Sequence, residues 1–364
     1  MSLLLRAAVV LATSGLLVAP ARAAQEREIE ERGEFASTPI QVHGFGVFDA
    51  IHDETARVDS FSAEKLALSL YKPLREGFYF FGQATLLREE EEFASEIDNL
   101  IVSFTPRRLP SLSISAGRFD APVGFERDDE PLNLQPSNSF NFQYGRPVKL
   151  EGIIIRQNFG PRLDLAAYLV NAWEEGADNN TAKTAGVRVG WTPVRHQSYG
   201  LTVIYGPEKD DNDSDQRLLL NLDYSLQMTP RWLLAGEGNF GSEENSDPSG
   251  RRGRWSGGQL TSWVKLSRSW AALVRAEVLD DRDGVLTGEH RILRSYTLGA
   301  NLRLSHASYG VFSVVEHTTL RIPQFALRLE VRRDRATRPF FATEEEGVLS
   351  RYRTVATAQM FFVF

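Results

Sequence analysis

The chain has 364 residues, with 41 Lys and Arg against 48 Asp and Glu, a formal net charge of −7, and no cysteine. The acidic balance excludes a nucleic-acid partner, and the lack of cysteine excludes a disulfide-stapled secreted scaffold. Mean hydropathy is −0.28, and no apolar run reaches the ~20 residues of a membrane-spanning helix.

The chain opens on MSLLLRAAVVLATSGLLVAPARA, residues 1–23. Arg6 precedes an apolar run, and Ala21, Arg22 and Ala23 form an A-x-A processing site. A secretory signal is predicted here rather than an anchor, because Thr13, Ser14 and Gly15 interrupt the run. Its removal takes away Arg6 and Arg22 and lowers the mature charge to −9. Residues 24–38 form a short acidic segment, and 39–364 are predicted to form one β-domain.

Across that domain helical periodicity is nearly absent, and polarity alternates with period two. Predicted strands fall near 39–49, 63–71, 77–88, 96–105, 111–119, 149–158, 162–173 and 183–193. They continue near 199–206, 217–227, 231–240, 257–267, 270–280, 294–305, 324–333 and 352–364. In WAALVRAEVL, Trp270, Ala272, Val274 and Val278 share one face, and Arg275 and Glu277 the other. Trp191, Trp232, Trp270 and Tyr296 are expected at strand ends, as in the aromatic girdles of membrane barrels.

Connections read as alternately long and short. The expected outer loops are 50–62, 89–95, 120–148, 174–182, 207–216, 241–256, 281–293 and 334–351, with turns such as TPRRLP and MTPR between them. This predicts an all-β, transmembrane antiparallel barrel of about sixteen strands, with short periplasmic turns and long extracellular loops. The stretch 306–323 has strand-like composition without a place in an even count. It either extends a neighbouring strand, adds two to make eighteen, or forms structure within the turn.

Several outer loops are acidic: Glu89 to Glu92, Glu208 to Asp215, and Asp280 to Gly284. Divalent cations bridging to lipopolysaccharide and plain solvation both account for this. Asp211, Asp213 and Asp215 imitate a calcium loop, but Gln216 replaces its turn glycine and Leu222 its bidentate Glu.

Sixteen strands enclose too much space for side chains to fill, so a water-filled channel for small hydrophilic solutes is expected. Its wall would carry Arg188, Arg275 and Arg328 near mid-strand, with Glu277, Glu330, Arg303, Arg332 and Lys265. These charges either line the pore or pair with one another, as Arg275 with Glu277 or Arg328 with Glu330. The third outer loop, DAPVGFERDDEPLNLQPSNSFNFQYGRPV, brings Asp120, Glu126, Arg127, Asp128, Asp129 and Glu130. A loop so long is not a simple hairpin link.

This loop and barrel pattern resembles outer-membrane porins. GRFDAPVGFE, with Gly117, Arg118, Phe119, Pro122, Gly124 and Glu126, is similar to a stretch of the OmpL-like β-barrel porins and of the phosphate-selective porin O and P group. The resemblance implies a passive diffusion channel in a Gram-negative outer membrane. It also implies a third loop folded into the lumen as a constriction, and a homotrimer. Net charge leans towards cations, whereas the mid-strand arginines and the phosphate-type resemblance lean towards anions.

The last strand ends QMFFVF, with Met360, Phe362 and Phe364 on the lipid face and Gln359, Phe361 and Val363 inward. This pattern resembles the signal read by barrel-assembly machinery. Two other classes remain as alternatives: an adhesion barrel acting through its loops, and an outer-membrane hydrolase. The six histidines show no triad or metal spacing and there is no G-x-S-x-G elbow, so no catalytic residue, metal or cofactor is expected.

Overall fold

The computed structural model of the protein describes residues 39–89, 92–173, 180–313 and 318–364. The expected leader 1–23, the acidic segment 24–38, and Glu90 and Glu91 lie outside the described residues. In chain order the strands are β1 (Gln41–Asp53), β2 (Val58–Pro73), β3 (Phe78–Glu89), β4 (Glu92–Phe104), β5 (Leu112–Asp120), β6 (Lys149–Asn158) and β7 (Leu163–Val170). They continue as β8 (Thr184–Val194), β9 (Gln197–Lys209), β10 (Asn212–Thr229), β11 (Trp232–Glu243), β12 (Gly253–Lys265), β13 (Trp270–Asp281) and β14 (Arg291–Arg303). The last are β15 (Ser308–Ser313), β16 (Thr318–Pro323), β17 (Phe325–Ala336), β18 (Phe341–Ala342), β19 (Leu349–Ser350) and β20 (Tyr352–Val363).

Sixteen of these, β1–β14 with β17 and β20, form one closed antiparallel barrel. Closure is made by β20 against β1, with Gln359 opposite Asp49 and Phe361 opposite Val47. No sheet edge is left for lipid to strand without hydrogen bonds. The alternation read from the sequence gives the faces: on β13, Val274 and Val278 are exposed outward, while Arg275 and Glu277 are buried inside. At the chain end, Met360 of β20 and the following Phe364 are exposed, and Phe361 and Val363 are buried inside.

At the periplasmic end Trp191 stacks near Tyr199 at 5.5 Å and Phe78 near Phe104 at 4.6 Å, with Trp232 and Trp270 on the same rim. Tyr296 departs from the expected girdle, standing opposite Ala276 in mid-strand.

Three expected outer loops lose most of their residues to the sheet. The sheet continues to Asp53 and from Val58, to Glu89 and from Glu92, and to Lys209 and from Asn212. Polar residues above the membrane still pair in the ladder, and where both faces are wet the alternation that marks a strand disappears. The acids there tie neighbouring loops together. Asp213 accepts from Thr181 N at 2.8 Å and Ala182 N at 2.9 Å, and Asp215 from Lys209 Nζ at 2.8 Å and Asn245 Nδ2 at 2.7 Å.

The stretch 306–323 adds nothing to the barrel count. It forms a separate hairpin, β15 with β16. Ile322 packs with Phe45, Val47, Ala326, Phe361 and Val363, and Leu132 of the third outer loop rests on the same cluster. At the opposite end β18 and β19 make a second small hairpin in the last outer loop, and Phe341 meets Phe140 of the third loop at 6.2 Å.

Candidate functional site

The third outer loop, 121–148, leaves β5, crosses the barrel interior and returns to β6. Its departure is apolar. Phe119, Ala121 and Val123 bury themselves against Phe81, Ile101, Leu150, Ile154, Tyr168, Ile204 and Leu219 of the inner wall. The expectation of a wholly wet interior therefore fails along β3–β10, where the loop covers an apolar wall. A local signal existed: Ile153, Ile154 and Ile155 run without alternation, as strands covered on both faces do.

The loop then reaches the far wall. Thr202 Oγ1 donates to Pro122 O at 3.2 Å, Gly124 N donates to Asn221 Oδ1 at 3.1 Å, and Phe125 N to Glu237 Oε2 at 2.6 Å. Gly124 sits at φ 76°, and a Cβ there would stand 2.1 Å from Glu237 Oε2. Left-handed strain and steric crowding add, so Gly124→Ala is expected to destabilise the docked loop by about 2–4 kcal/mol. A lowered melting temperature with new protease cleavage inside 121–148 would show it.

Glu126 is the hub of the crossing. It accepts from Ser139 N at 2.8 Å, Ser139 Oγ at 2.6 Å, Gln135 Nε2 at 3.2 Å and Arg275 Nη1 at 2.9 Å. Arg275 also donates to Ser137 O at 2.6 Å and lies 3.6 Å from Glu277. Glu277 in turn receives Phe140 N at 2.6 Å and Arg332 at 3.3 Å. That amide opens helix α1 (Phe140–Tyr144), capped by Ser139, whose Oγ accepts from Phe142 N. Arg332 donates to Asn138 O and Arg328 to the carbonyls of Glu130 and Asn133, each at 2.7 Å. From the loop side, Arg146 meets Glu237 at 3.2 Å and donates to Glu126 O at 2.7 Å.

These contacts correct the expected pore wall. Arg275, Glu277, Arg328, Glu330 and Arg332 do face inward, but all are buried beneath the loop and hold it instead of facing water. Arg188 pairs with Asp223, its Nη2 at 3.0 Å from Oδ1. Lys265 and Arg303 stand at the periplasmic ends of their strands. Arg118 of the motif faces out of the barrel, 3.1 Å from Glu151, beside exposed Leu100 and Ile153. The inward anchors Lys65, Gln83, Lys149 and Glu237 went unremarked in the sequence, where each is one polar residue on an alternating strand.

The charged part of the crossing that stays open to water is Arg127 to Glu130. Lys149 lies 2.6 Å from Asp120 and 3.0 Å from Asp128, Lys65 lies 3.5 Å from Glu130, and Gln83 Nε2 donates to Asp129 at 2.7 Å. The side chains of Asp128 and Glu130 are 26% and 21% exposed, and that of Asp120 29%. With Asp98 and Asp129, five carboxylates face Lys65 and Lys149, with Arg146 beside Asp128 and Arg328 beside Glu130, which leaves an excess of one negative charge when all are ionised.

Burial, then repulsion from Asp128 and Asp129, pushes Glu130 up to about 7 against the pull of Lys65. Burial and the charge of Asp120 raise Asp129 to about 6. Asp128 is crowded as well, yet Lys149 and Lys65 beside it hold it below the usual carboxylate range.

Similar architectures are found among solved outer-membrane proteins. The anion-selective porin from Comamonas acidovorans aligns at 11% identity over 90% of this chain and 99% of its own, with a TM-score of 0.63. The outer membrane channel DcaP of Acinetobacter baumannii aligns at 10% identity over 89% and 97%, with a TM-score of 0.62. OmpT of Vibrio cholerae, in its trimer form, aligns at 9% identity over 90% and 99%, with a TM-score of 0.62. At these identities the likeness shows the fold. No curated protein sequence matches the chain. Residues 76–364 match the family described as putative β-barrel porin-2, OmpL-like, and the chain belongs to that family.

Proposed function

We propose that this outer-membrane porin passes small hydrophilic solutes by diffusion along the β1–β6 side of its lumen loop, with a preference for cations. The observation that carries this reading is the acidic edge Asp128–Asp129–Glu130, which keeps about a quarter of the Asp128 and a fifth of the Glu130 side chain in contact with water, while the loop's other charged anchors are buried. An acidic constriction concentrates cations and repels anions, and low-dielectric walls strengthen the effect. The reading is of a channel and assigns it no catalytic step.

Reconstituted in a planar bilayer, the barrel is expected to give discrete open steps. Liposomes containing it should swell faster in a small cationic solute than in an anionic one of equal size. Silence from a folded, heat-modifiable barrel would overturn the channel, and faster anion entry would overturn the preference.

Export by the 1–23 leader, with cleavage after Ala23, belongs to the same proposal, as does contact of the outer loops with lipopolysaccharide. So does recognition of the outward row Met360, Phe362 and Phe364 by assembly machinery. Deleting Phe364 is expected to lower the yield of heat-modifiable barrel in membranes, and unchanged yield would remove the recognition role. A homotrimer is supported by the trimer form of the Vibrio cholerae neighbour. It is supported too by a shallow outward groove over Ala50, Ala300, Ala356 and Ala358, small residues that would let a second barrel approach closely. Mass measurement in detergent would test it.

A further inference from the structure

The periplasmic turns carry a charge pattern that conduction does not use. Among the described residues, connections 74–77, 105–111 and 159–162 contain Arg75, Arg107, Arg108 and Arg162. Connections 195–196, 230–231 and 266–269 contain Arg195, Arg231 and Arg268. Glu76 is the one acid in all six. Every one of these arginines is exposed, and none of Arg162, Arg195, Arg231 and Arg268 forms an ion pair with an acid among the described residues. The outer connections, by contrast, include Asp210, Asp211, Glu344, Glu345 and Glu346. Like charges held round one rim repel one another unless anions from outside the chain come between them.

A second observation places those anions. The aromatic girdle is close in sequence to the arginines: Trp232 follows Arg231, Trp270 is two residues from Arg268, and Trp191 four from Arg195. All three indoles point outward and are substantially exposed. Indole rings settle at headgroup depth in a bilayer, so guanidinium groups one turn beyond them extend into the phosphate layer. Between the Phe78–Phe104 pair and Arg107 and Arg108 the wall forms a groove of about 470 Å³, apolar towards the membrane and net basic towards the periplasm, where Glu76 stands beside the two arginines. A phospholipid phosphate with its glycerol fits that division.

We propose that the periplasmic rim is a binding collar for anionic phospholipid headgroups of the inner leaflet. Guanidinium forks engage phosphate oxygens in pairs, and the girdle fixes their depth, so the collar selects lipid at the bilayer boundary over a soluble anion.

The chain's own tryptophans give the test. Trp255 is buried in the lumen, Trp173 packs against it, and Trp263 shares the inward face of β12 with Thr261, so of the six tryptophans Trp191, Trp232 and Trp270 report on surrounding lipid. Full-length barrel in phosphatidylcholine vesicles would be quenched with brominated phosphatidylglycerol or brominated phosphatidylcholine at equal mole fraction. Expected is a roughly threefold enrichment of the anionic lipid at the girdle, falling with added salt. The set Arg162→Gln, Arg195→Gln, Arg231→Gln and Arg268→Gln should abolish the enrichment, the matching Arg→Lys set should keep most of it, and conductance should stay at the wild-type level in both.

Equal quenching of the wild type by the two lipids would overturn the proposal, as would full enrichment in a folded glutamine set. Binding of soluble acidic murein fragments without any lipid preference would assign the collar to a periplasmic polymer and likewise overturn it. Should the glutamine set fail to fold, the wild-type comparison decides alone.

Discussion

Arg275→Ala is expected to loosen the lumen loop and give larger, noisier single-channel steps, together with a lower melting temperature. Arg275 is fully buried and clamps the loop at Glu126 Oε1 and Ser137 O from a wall strand. Its removal leaves Glu126 and Glu277 short of a counter-charge in a water-poor site, which costs on the order of 3–5 kcal/mol. The loop would not leave altogether, because Arg328, Arg332 and Arg146 hold it elsewhere. Arg275→Lys keeps the charge but loses the two-pronged geometry, so an intermediate effect is expected. Unchanged conductance and melting temperature in the alanine variant would show that the loop does not depend on this clamp.

Acidification from pH 8 to pH 5 is expected to lower cation preference and steady the loop. Glu130 at about 7 and Asp129 at about 6 both lie above their ordinary values of 4.5 and 3.8. The folded protein therefore binds more protons than the unfolded chain across this interval, and the contribution of these groups to stability falls as pH rises through it. The sign for permeation runs with charge: at pH 8 both carboxylates are ionised, and by pH 5 both have taken up a proton. Asp128, held down by the two lysines, keeps its charge throughout. Conductance and loop protease resistance measured across pH 8 to 5 would check both signs. In Asp129→Asn/Glu130→Gln the pH response of selectivity should largely vanish.

The barrel was legible because outward rows face a uniform apolar solvent, and alternation against such a solvent is visible in each strand separately. Leu218, Leu220 and Leu222 on one face of β10, with Asn221 and Asp223 on the other, decide orientation with no knowledge of neighbours. Strand ends were less legible, since Asn212 and Gln216 pair with β9, with an irregularity between them, where neither face is apolar.

The interior was hidden for a different reason. Whether an inward Arg meets water or a loop depends on a partner remote in sequence, and Arg275 stands 149 residues from Glu126. Phe119 and Leu219 showed the same limit: both alternate onto the side read as wet, and both are buried because the loop lies over them. Length alone marked loop 121–148 as unusual, and its acids were visible. Their division into one buried hub, Glu126, and an open edge, Asp128 to Glu130, follows from where the chain crosses the lumen.

The measurement closest to the central claim is the reversal potential in a tenfold KCl gradient at pH 8, for the wild type and for Asp128→Asn/Asp129→Asn/Glu130→Gln. The acidic edge predicts a cation-selective potential in the wild type that moves to near zero or reverses in the variant. An anion-selective wild type, or a variant with an unchanged potential, would contradict it.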